Sequence, residues 1–330
     1  MSVPAEPVPP STGPRGIAAL ASRVVFAAAL VAVFAGLTWA DWNRLGGTPP
    51  SWWLLPLAAA LAIGGIDELV ALFAGRGLTL PGWLLRPAVV AIVLSAAFAV
   101  GGFPGRLSPA AEAVGAGWTA ATVALTIGAL GIVEIARYRP AGGALQQPAG
   151  GALERLAAGT FAAVFVGLPL AFMVALRLLH AGHPGPPDQR GDPGVLPLIS
   201  FIAVVKAGDI AAYGVGSLCG RHRMAPLLSP GKTWEGAAAS LAASLAAAWF
   251  VLGQCRAWGL VGPWGSWPVY GAVVGLAGMA GDLVESLVKR ECGSKDSGRS
   301  LGGLGGVLDL VDSLLLAAPV AWLLWVAGGR

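Results

Sequence analysis

Residues 156–178 read LAAGTFAAVFVGLPLAFMVALRL, a run in which Arg177 is the one ionisable residue. Wound as a helix rising about 1.5 Å per residue, a run of this length reaches across a hydrocarbon core of roughly 30 Å. A helix satisfies its own backbone hydrogen bonds, which is the condition for crossing lipid. Outward from it, comparable runs lie near 17–40, 53–75, 84–103 and 113–136, and then near 194–217, 236–254, 265–288 and 306–326. The pattern predicts an all-α, polytopic transmembrane protein of about nine spans. Composition agrees: 56% of the 330 residues are hydrophobic and 12% charged, with a mean hydropathy of +0.72. A soluble domain carries about a quarter charged residues, so a soluble globular class is excluded.

The formal charge of +4 orients the chain. With the N-terminus in the cytoplasm, the outer side holds Arg44, Arg106, Arg177, Arg190, Arg256 and Arg330. Lys206 falls inside a span, and every other Lys and Arg falls on the inner side, as the positive-inside rule requires. These basic loops are read as topology signals and anionic-lipid contacts, with no nucleic acid as partner. Residues 1–14, rich in Pro, Ser and Gly, are expected to form a disordered tail. The apolar run behind them is long enough to be retained as a span. Cys219, Cys255 and Cys292 show no metal-ligand spacing and suggest no disulfide framework. Trp residues near span ends, including Trp39, Trp42, Trp52, Trp53 and Trp258, are read as interfacial anchors.

Ionisable groups at membrane depth are costly, so they pair, line a polar cavity or carry function. This chain concentrates them in its last third. Lys206, Asp209 and Tyr213 share one helix face in the sixth span, and Lys206 with Asp209 reads equally well as a structural ion pair. Asp282, Ser286 and Lys289 share a face at the end of the eighth span, beside Glu285 and Arg290. Asp309, Asp312 and Ser313 open the ninth. Asp282, Asp309 and Asp312 outnumber the buried cations available to pair them, which points to a bound metal. Oxygen ligands without a His or Cys cluster favour Mg²⁺ and argue against zinc. Asp67, Glu68 and Glu134, at the cytoplasmic ends of early spans, are assigned interfacial or structural roles.

The adjoining loops suit phosphate. Residues 229–236, SPGKTWEG, read as a turn leading into a helix and offer Lys232, two hydroxyls and unpaired N–H groups. Between the eighth and ninth spans, Lys289, Arg290, Lys295 and Arg299 alternate with Ser294, Asp296, Ser297 and Gly298. The glycines at 302, 303, 305 and 306 then allow close backbone approach to a ligand.

Residues 286–312, SLVKRECGSKDSGRSLGGLGGVLDLVD, resemble the C-terminal pattern of the CDP-diacylglycerol synthases, or phosphatidate cytidylyltransferases. That pattern has Ser before Lys-Arg, then Lys-Asp, a Gly-rich turn and two Asp three apart. Asp209 to Tyr213 followed by SPGKTWEG resembles the family's other motif block, and the likeness covers roughly 155–330. Gly302 and Leu304 stand where the family has Pro and His, and Leu310 stands where it has Arg. Ser217 and Lys206 replace a basic and an aromatic residue respectively.

The resemblance implies that residues 15–150 form N-terminal transmembrane helices and 151–330 a cytidylyltransferase-like transmembrane catalytic domain. It implies Asp282 and Asp309 as the main metal carboxylates, with Asp312 beside them. Ser286, Lys289 and Arg290 would approach phosphate, and Lys295 and Asp296 would organise the loop. Ser229, Lys232 and Thr233 would hold nucleotide phosphates, with Asp209 and Tyr213 lining the cavity. The implied reaction transfers CMP from CTP to phosphatidic acid, with Mg²⁺ as cofactor, in the cytoplasmic membrane and with the site facing the cytoplasm. CTP, phosphatidic acid and membrane lipids are the expected partners, and a homodimer is compatible with the pattern. The alternatives are a CTP-dependent polyprenol or phytol-type lipid kinase and a non-enzymatic transporter or scaffold.

Overall fold

The computed structural model describes residues 17–99, 109–138, 151–181, 191–255, 257–298 and 305–328. The tail at 1–14 and most of the outer loop between His180 and Pro193 lie outside the described residues, as do Arg190, Arg299, Gly302 and Leu304. In chain order the helices are α1 (Ile17–Trp42), α2 (Leu55–Gly75), α3 (Gly82–Ala99), α4 (Pro109–Arg137) and α5 (Ala152–Leu178). They continue with α6 (Val195–Cys219), α7 (Trp234–Leu252), α8 (Ser266–Glu291) and α9 (Val307–Gly328). Two short strands, β1 (Arg223–Ala225) and β2 (Ser229–Thr233), lie between α6 and α7.

The protein is an integral membrane protein of the helical type. Among the described residues, 7 helices are long and apolar enough to cross a membrane, namely α2 and α4 to α9. The other two also carry described apolar stretches, Ala28–Trp42 of the 26-residue α1 and Gly82–Ala97 of the 18-residue α3. Residues 156–178 form most of α5, which packs against α2, α3 and α4 and also against α6 and α9. Ala162, Val166 and Leu170 on it are almost wholly buried.

Apolar helices gain little by leaving lipid for one another, so their packing depends on close approach through small residues. Gly208 of α6 faces Ser240 and Ser244 of α7, and a Cβ there would stand 2.7 Å from Ser244 Oγ. That hydroxyl donates to the Val204 carbonyl at 3.1 Å. At Gly281 of α8 a Cβ would stand 2.6 Å from the Asp312 carbonyl of α9. A side chain at this glycine would therefore push apart the two helices that carry the acidic residues.

The fold is helical as expected, with one small two-stranded ribbon, and one sequence expectation is corrected: residues 229–233 are a strand, where the sequence suggested a turn. β2 pairs with β1 antiparallel, with Arg223 opposite Thr233 and Ala225 opposite Ser229. Pro230 and Gly231 signal a turn in isolation, yet both strands of a two-stranded ribbon are edges and tolerate them.

Arg177 was read as an outer-side topology charge, and the structure buries it. Its Nε lies 2.5 Å from Asp41 Oδ2 of α1, and its Nη2 lies 3.4 Å from Asp192 Oδ2. Arg44 Nη2 donates to Asp192 Oδ2 at 2.7 Å, and the Gly194 N–H donates to Asp192 Oδ1 at 2.9 Å. Burial works to raise the Asp192 carboxyl, but Arg177, Arg44 and the Gly194 N–H outweigh it and hold the group below the usual carboxylate range. This network joins α1, the end of α5 and the start of α6. Trp42 and Trp258, read as anchors, meet edge to face at 6.0 Å.

Candidate active site

A cavity of about 550 Å³ opens between α6, the β-hairpin, α7 and α8. Asp209, Tyr213, Ser229, Lys232, Thr233 and Asp282, all singled out from the sequence, line it. Arg223, Met224 and Met279 line it too, and these the sequence reading missed. Arg223 had been counted only as a topology charge, and the hairpin turns it toward the cavity.

The hairpin fixes the basic wall. Thr233 ends β2 and caps α7, its Oγ1 accepting the Gly236 N–H at 3.1 Å. An N-cap threonine leaves the helix start pre-ordered, and its hydroxyl proton stays free to donate. One residue earlier, Lys232 reaches α8, where its Nζ lies 2.9 Å from Asp282 Oδ2. Asp282 thus belongs both to the cavity wall and to an acidic group beyond it.

That acidic group consists of Asp282, Glu285 and Asp312, each offering an oxygen within 4.8 Å of the others. Gly281 brings α9 close enough for Asp312 to face α8. The side chain of Glu285 is fully buried, and among the described residues its Oε1 has no hydrogen-bond partner. Lys289 Nζ stands 2.5 Å from the other oxygen, Oε2, and 2.7 Å from Asp309 Oδ1. A buried carboxylate oxygen left without a donor is costly. Three convergent carboxylates around it fit a hard divalent cation. Sequence reasoning placed Glu285 beside the site without assigning it a role, because a Glu four residues before Lys289 looks like an ordinary helix ion pair.

Asp309, expected as a main ligand, is engaged differently. Its Oδ1 meets Lys289 and its Oδ2 accepts the Gly306 N–H at 2.7 Å. Ser286 Oγ lies 3.5 Å from Asp282 Oδ1. Arg290 donates to the Leu228 carbonyl at 3.1 Å and so ties α8 to the hairpin loop. Lys295 and Asp296 are exposed and outside the cavity lining. The Asp296 carbonyl accepts Ser294 Oγ–H at 2.7 Å.

Lys206 forms the ion pair with Asp209 expected as one reading, at 3.0 Å. It also donates to the Leu310 carbonyl at 3.1 Å and to Ser313 Oγ at 2.9 Å, clamping α6 to the first turns of α9. Of the early carboxylates, Asp67 pairs with Arg86 at 2.7 Å and Glu134 with Arg155 at 2.7 Å. Glu68 is buried against the start of α9, which sequence reasoning did not foresee.

The site thus joins a basic hairpin and an acidic trio at one aspartate, Asp282, within a helical membrane fold. The sequence profile described as the cytidylyltransferase family matches residues 21–327, and the chain belongs to that family. It is similar to the phosphatidate cytidylyltransferase of Brucella suis biovar 1 (strain 1330), 44% identical over 136 residues, 41% of this chain and 49% of that protein. The phosphatidate cytidylyltransferase of Mycobacterium tuberculosis (strain ATCC 25618 / H37Rv) is 43% identical over 131 residues, covering 37% of this chain and 36% of that protein. The uncharacterized protein YnbB of Escherichia coli (strain K12) is 38% identical over 129 residues, 38% of this chain and 41% of its own length. The chain thus spans half or less of the length of these relatives.

Proposed function

We propose that the protein is a phosphatidate cytidylyltransferase, transferring CMP from CTP to phosphatidic acid to give CDP-diacylglycerol and pyrophosphate. The observation that carries this reading is the contact between Lys232 and Asp282, a cation of the hairpin beside the acidic trio, which supports a role for Lys232 toward nucleotide phosphates. Membership in the cytidylyltransferase family and the names of the relatives support it.

In the reaction, a phosphate oxygen of phosphatidate forms a bond to the α-phosphorus of CTP while the bond to the β-phosphate oxygen breaks and pyrophosphate leaves. That oxygen is already anionic near neutral pH, so no strong general base is required. The protein must align two anions and neutralise their charge. Lys232 and Arg223, with Ser229 and the Thr233 hydroxyl, hold the nucleotide phosphates in the cavity. Lys289, kept in place by Asp309 and Glu285, would meet the lipid phosphate. Asp282, Glu285 and Asp312 would hold Mg²⁺. When bound, the cation supplies Lewis-acid neutralisation worth several kcal/mol.

The site faces the cytoplasm in this reading, with the N-terminus inside. Thiol labelling of Gly231→Cys from the inner side and of Gly259→Cys from the outer side tests the orientation, and labelling of both from one side overturns it. The chemistry is tested with purified protein, Mg²⁺, phosphatidic acid and CTP labelled at either its α- or its γ-phosphate. Label entering lipid from the α-position supports cytidylyl transfer. Label entering only from the γ-position replaces it with the lipid-kinase reading.

A further inference from the structure

We propose that Glu68, on α2 and outside both motif blocks, is a positioning residue for the transfer reaction: its buried carboxylate provides the N-cap that α9 lacks and thereby fixes Asp309 and Asp312. The inference rests on the cytidylyl-transfer reading of the site. A helix start leaves its first N–H groups without intrahelical partners, and a Ser, Thr, Asp or Asn side chain just before the helix is the usual remedy. Here Gly306 precedes α9 and offers no side chain. A Cβ at Gly306 would fall 2.3 Å from Glu68 Oε2 and 2.2 Å from Ser297 Oγ, so the position that would carry a cap is occupied by Glu68 instead.

Glu68 Oε1 accepts the Val307 N–H at 2.8 Å, and Oε2 accepts the Leu308 N–H at 2.8 Å. Ser297 Oγ–H donates to Oε2 at 3.0 Å. The next donor back, the Gly306 N–H, goes to Asp309 Oδ2, the reciprocal half of a capping box. Glu68 and Asp309 therefore divide the donors of one helix start. A carboxylate at that end also complements the helix dipole. Gly298 completes the fit, because a Cβ there would approach Glu68 Oε1 to 2.8 Å. The other oxygen of Asp309 holds Lys289, so the cap is one side chain removed from the phosphate-handling groups.

Glu68→Gln keeps the size of the side chain but sets an amide NH₂ against a helix N–H. In full-length protein purified in detergent, the expected result is a kcat at least about tenfold lower, because small misplacements of reacting groups are costly. The KM for CTP stays within about threefold, since Lys232 and its hairpin do not depend on Glu68. Binding of Mn²⁺, followed by electron paramagnetic resonance, weakens by about tenfold, as removal of an orienting partner does to metal ligands. A variant that stays folded with kcat and Mn²⁺ affinity within about twofold of wild type overturns the proposal. If Glu68→Gln does not fold, Ser297→Ala removes one donor to the same carboxylate. A lower kcat with unchanged KM then supports the proposal, and wild-type kcat overturns it. Should the wild-type protein make no liponucleotide, the cytidylyl reading fails by itself, and the Mn²⁺ comparison still decides whether Glu68 positions the carboxylates.

Discussion

Lys232 Nζ stands 2.9 Å from Asp282 Oδ2, a cation from the β-hairpin held by a carboxylate of α8. Both side chains are partly exposed to the cavity, at 20% and 37%. On the proposed reading, an entering phosphate would compete with Asp282 for Lys232 and leave the carboxylate free to turn toward a cation. The two halves of the site are coupled through this pair.

Lys232→Met keeps the length of the side chain and removes its charge. A charge-assisted hydrogen bond contributes about 1.5–3 kcal/mol, so the KM for CTP should rise about tenfold or more, with a smaller change in the KM for phosphatidate. Steady-state kinetics with each substrate varied in turn checks this. An unchanged KM for CTP would remove Lys232 from the nucleotide site.

Asp282→Asn and Glu285→Gln should both lower turnover and shift the Mg²⁺ concentration needed for half-activity upward by about tenfold or more. Asp309→Asn should shift it less, because Asp309 is occupied by Lys289 and the Gly306 N–H. Mg²⁺ titrations of the three variants at saturating CTP distinguish them. If Asp309→Asn shows the largest shift, Asp309 is a ligand and the trio has been drawn wrongly.

At the opposite end of the bundle, Asp192 is held below the usual carboxylate range despite its burial. A carboxyl depressed by folding contributes stability that is present above its unfolded pKa, about 3.9, and is lost as pH falls through the folded value. Acid should thus loosen the joint between α1, α5 and α6. Asp192→Asn should lower the melting temperature at neutral pH, since breaking a buried pair costs about 3–5 kcal/mol. It should also flatten the acid limb of a melting-temperature profile recorded against pH. An acid limb as steep as that of wild type would place the sensitivity elsewhere.

The parts legible in the sequence were those whose signal is local. Long uncharged runs announced the membrane helices. Helical spacing joined Asp209 to Tyr213, while Lys232 and Asp282 were assigned to the same site only by the resemblance to the family's two motif blocks, and the cavity brings all four together. The hairpin escaped because Pro230 and Gly231 favour a turn, and only pairing with β1 makes them a strand. Glu285 escaped because its spacing from Lys289 explains it equally well without a ligand. Glu68 could not have been assigned from pattern, since its partner N–H groups lie 239 and 240 residues away.

Lys206 closes the same network from the side of α6. It donates to Asp209, to the Leu310 carbonyl and to Ser313 Oγ, and Ser313 Oγ in turn donates to Asp209 at 2.8 Å. Asp312 lies between the last two contacts on α9, so Lys206 holds the turn that presents it. With about a third of each side chain exposed, at 33% and 35%, the ion pair with Asp209 is screened by solvent. Its loss should cost only about 1 kcal/mol of stability. Turnover should suffer more, by about tenfold, because the α9 turn bearing Asp312 becomes free to shift against α8. Lys206→Met should therefore melt within a few degrees of wild type while losing most of its activity, and Lys206→Arg should recover part of it by restoring donors to Leu310 and Ser313. Melting and turnover measured on one preparation separate the cases, and a Lys206→Met protein with wild-type turnover would reduce the clamp to a simple helix contact.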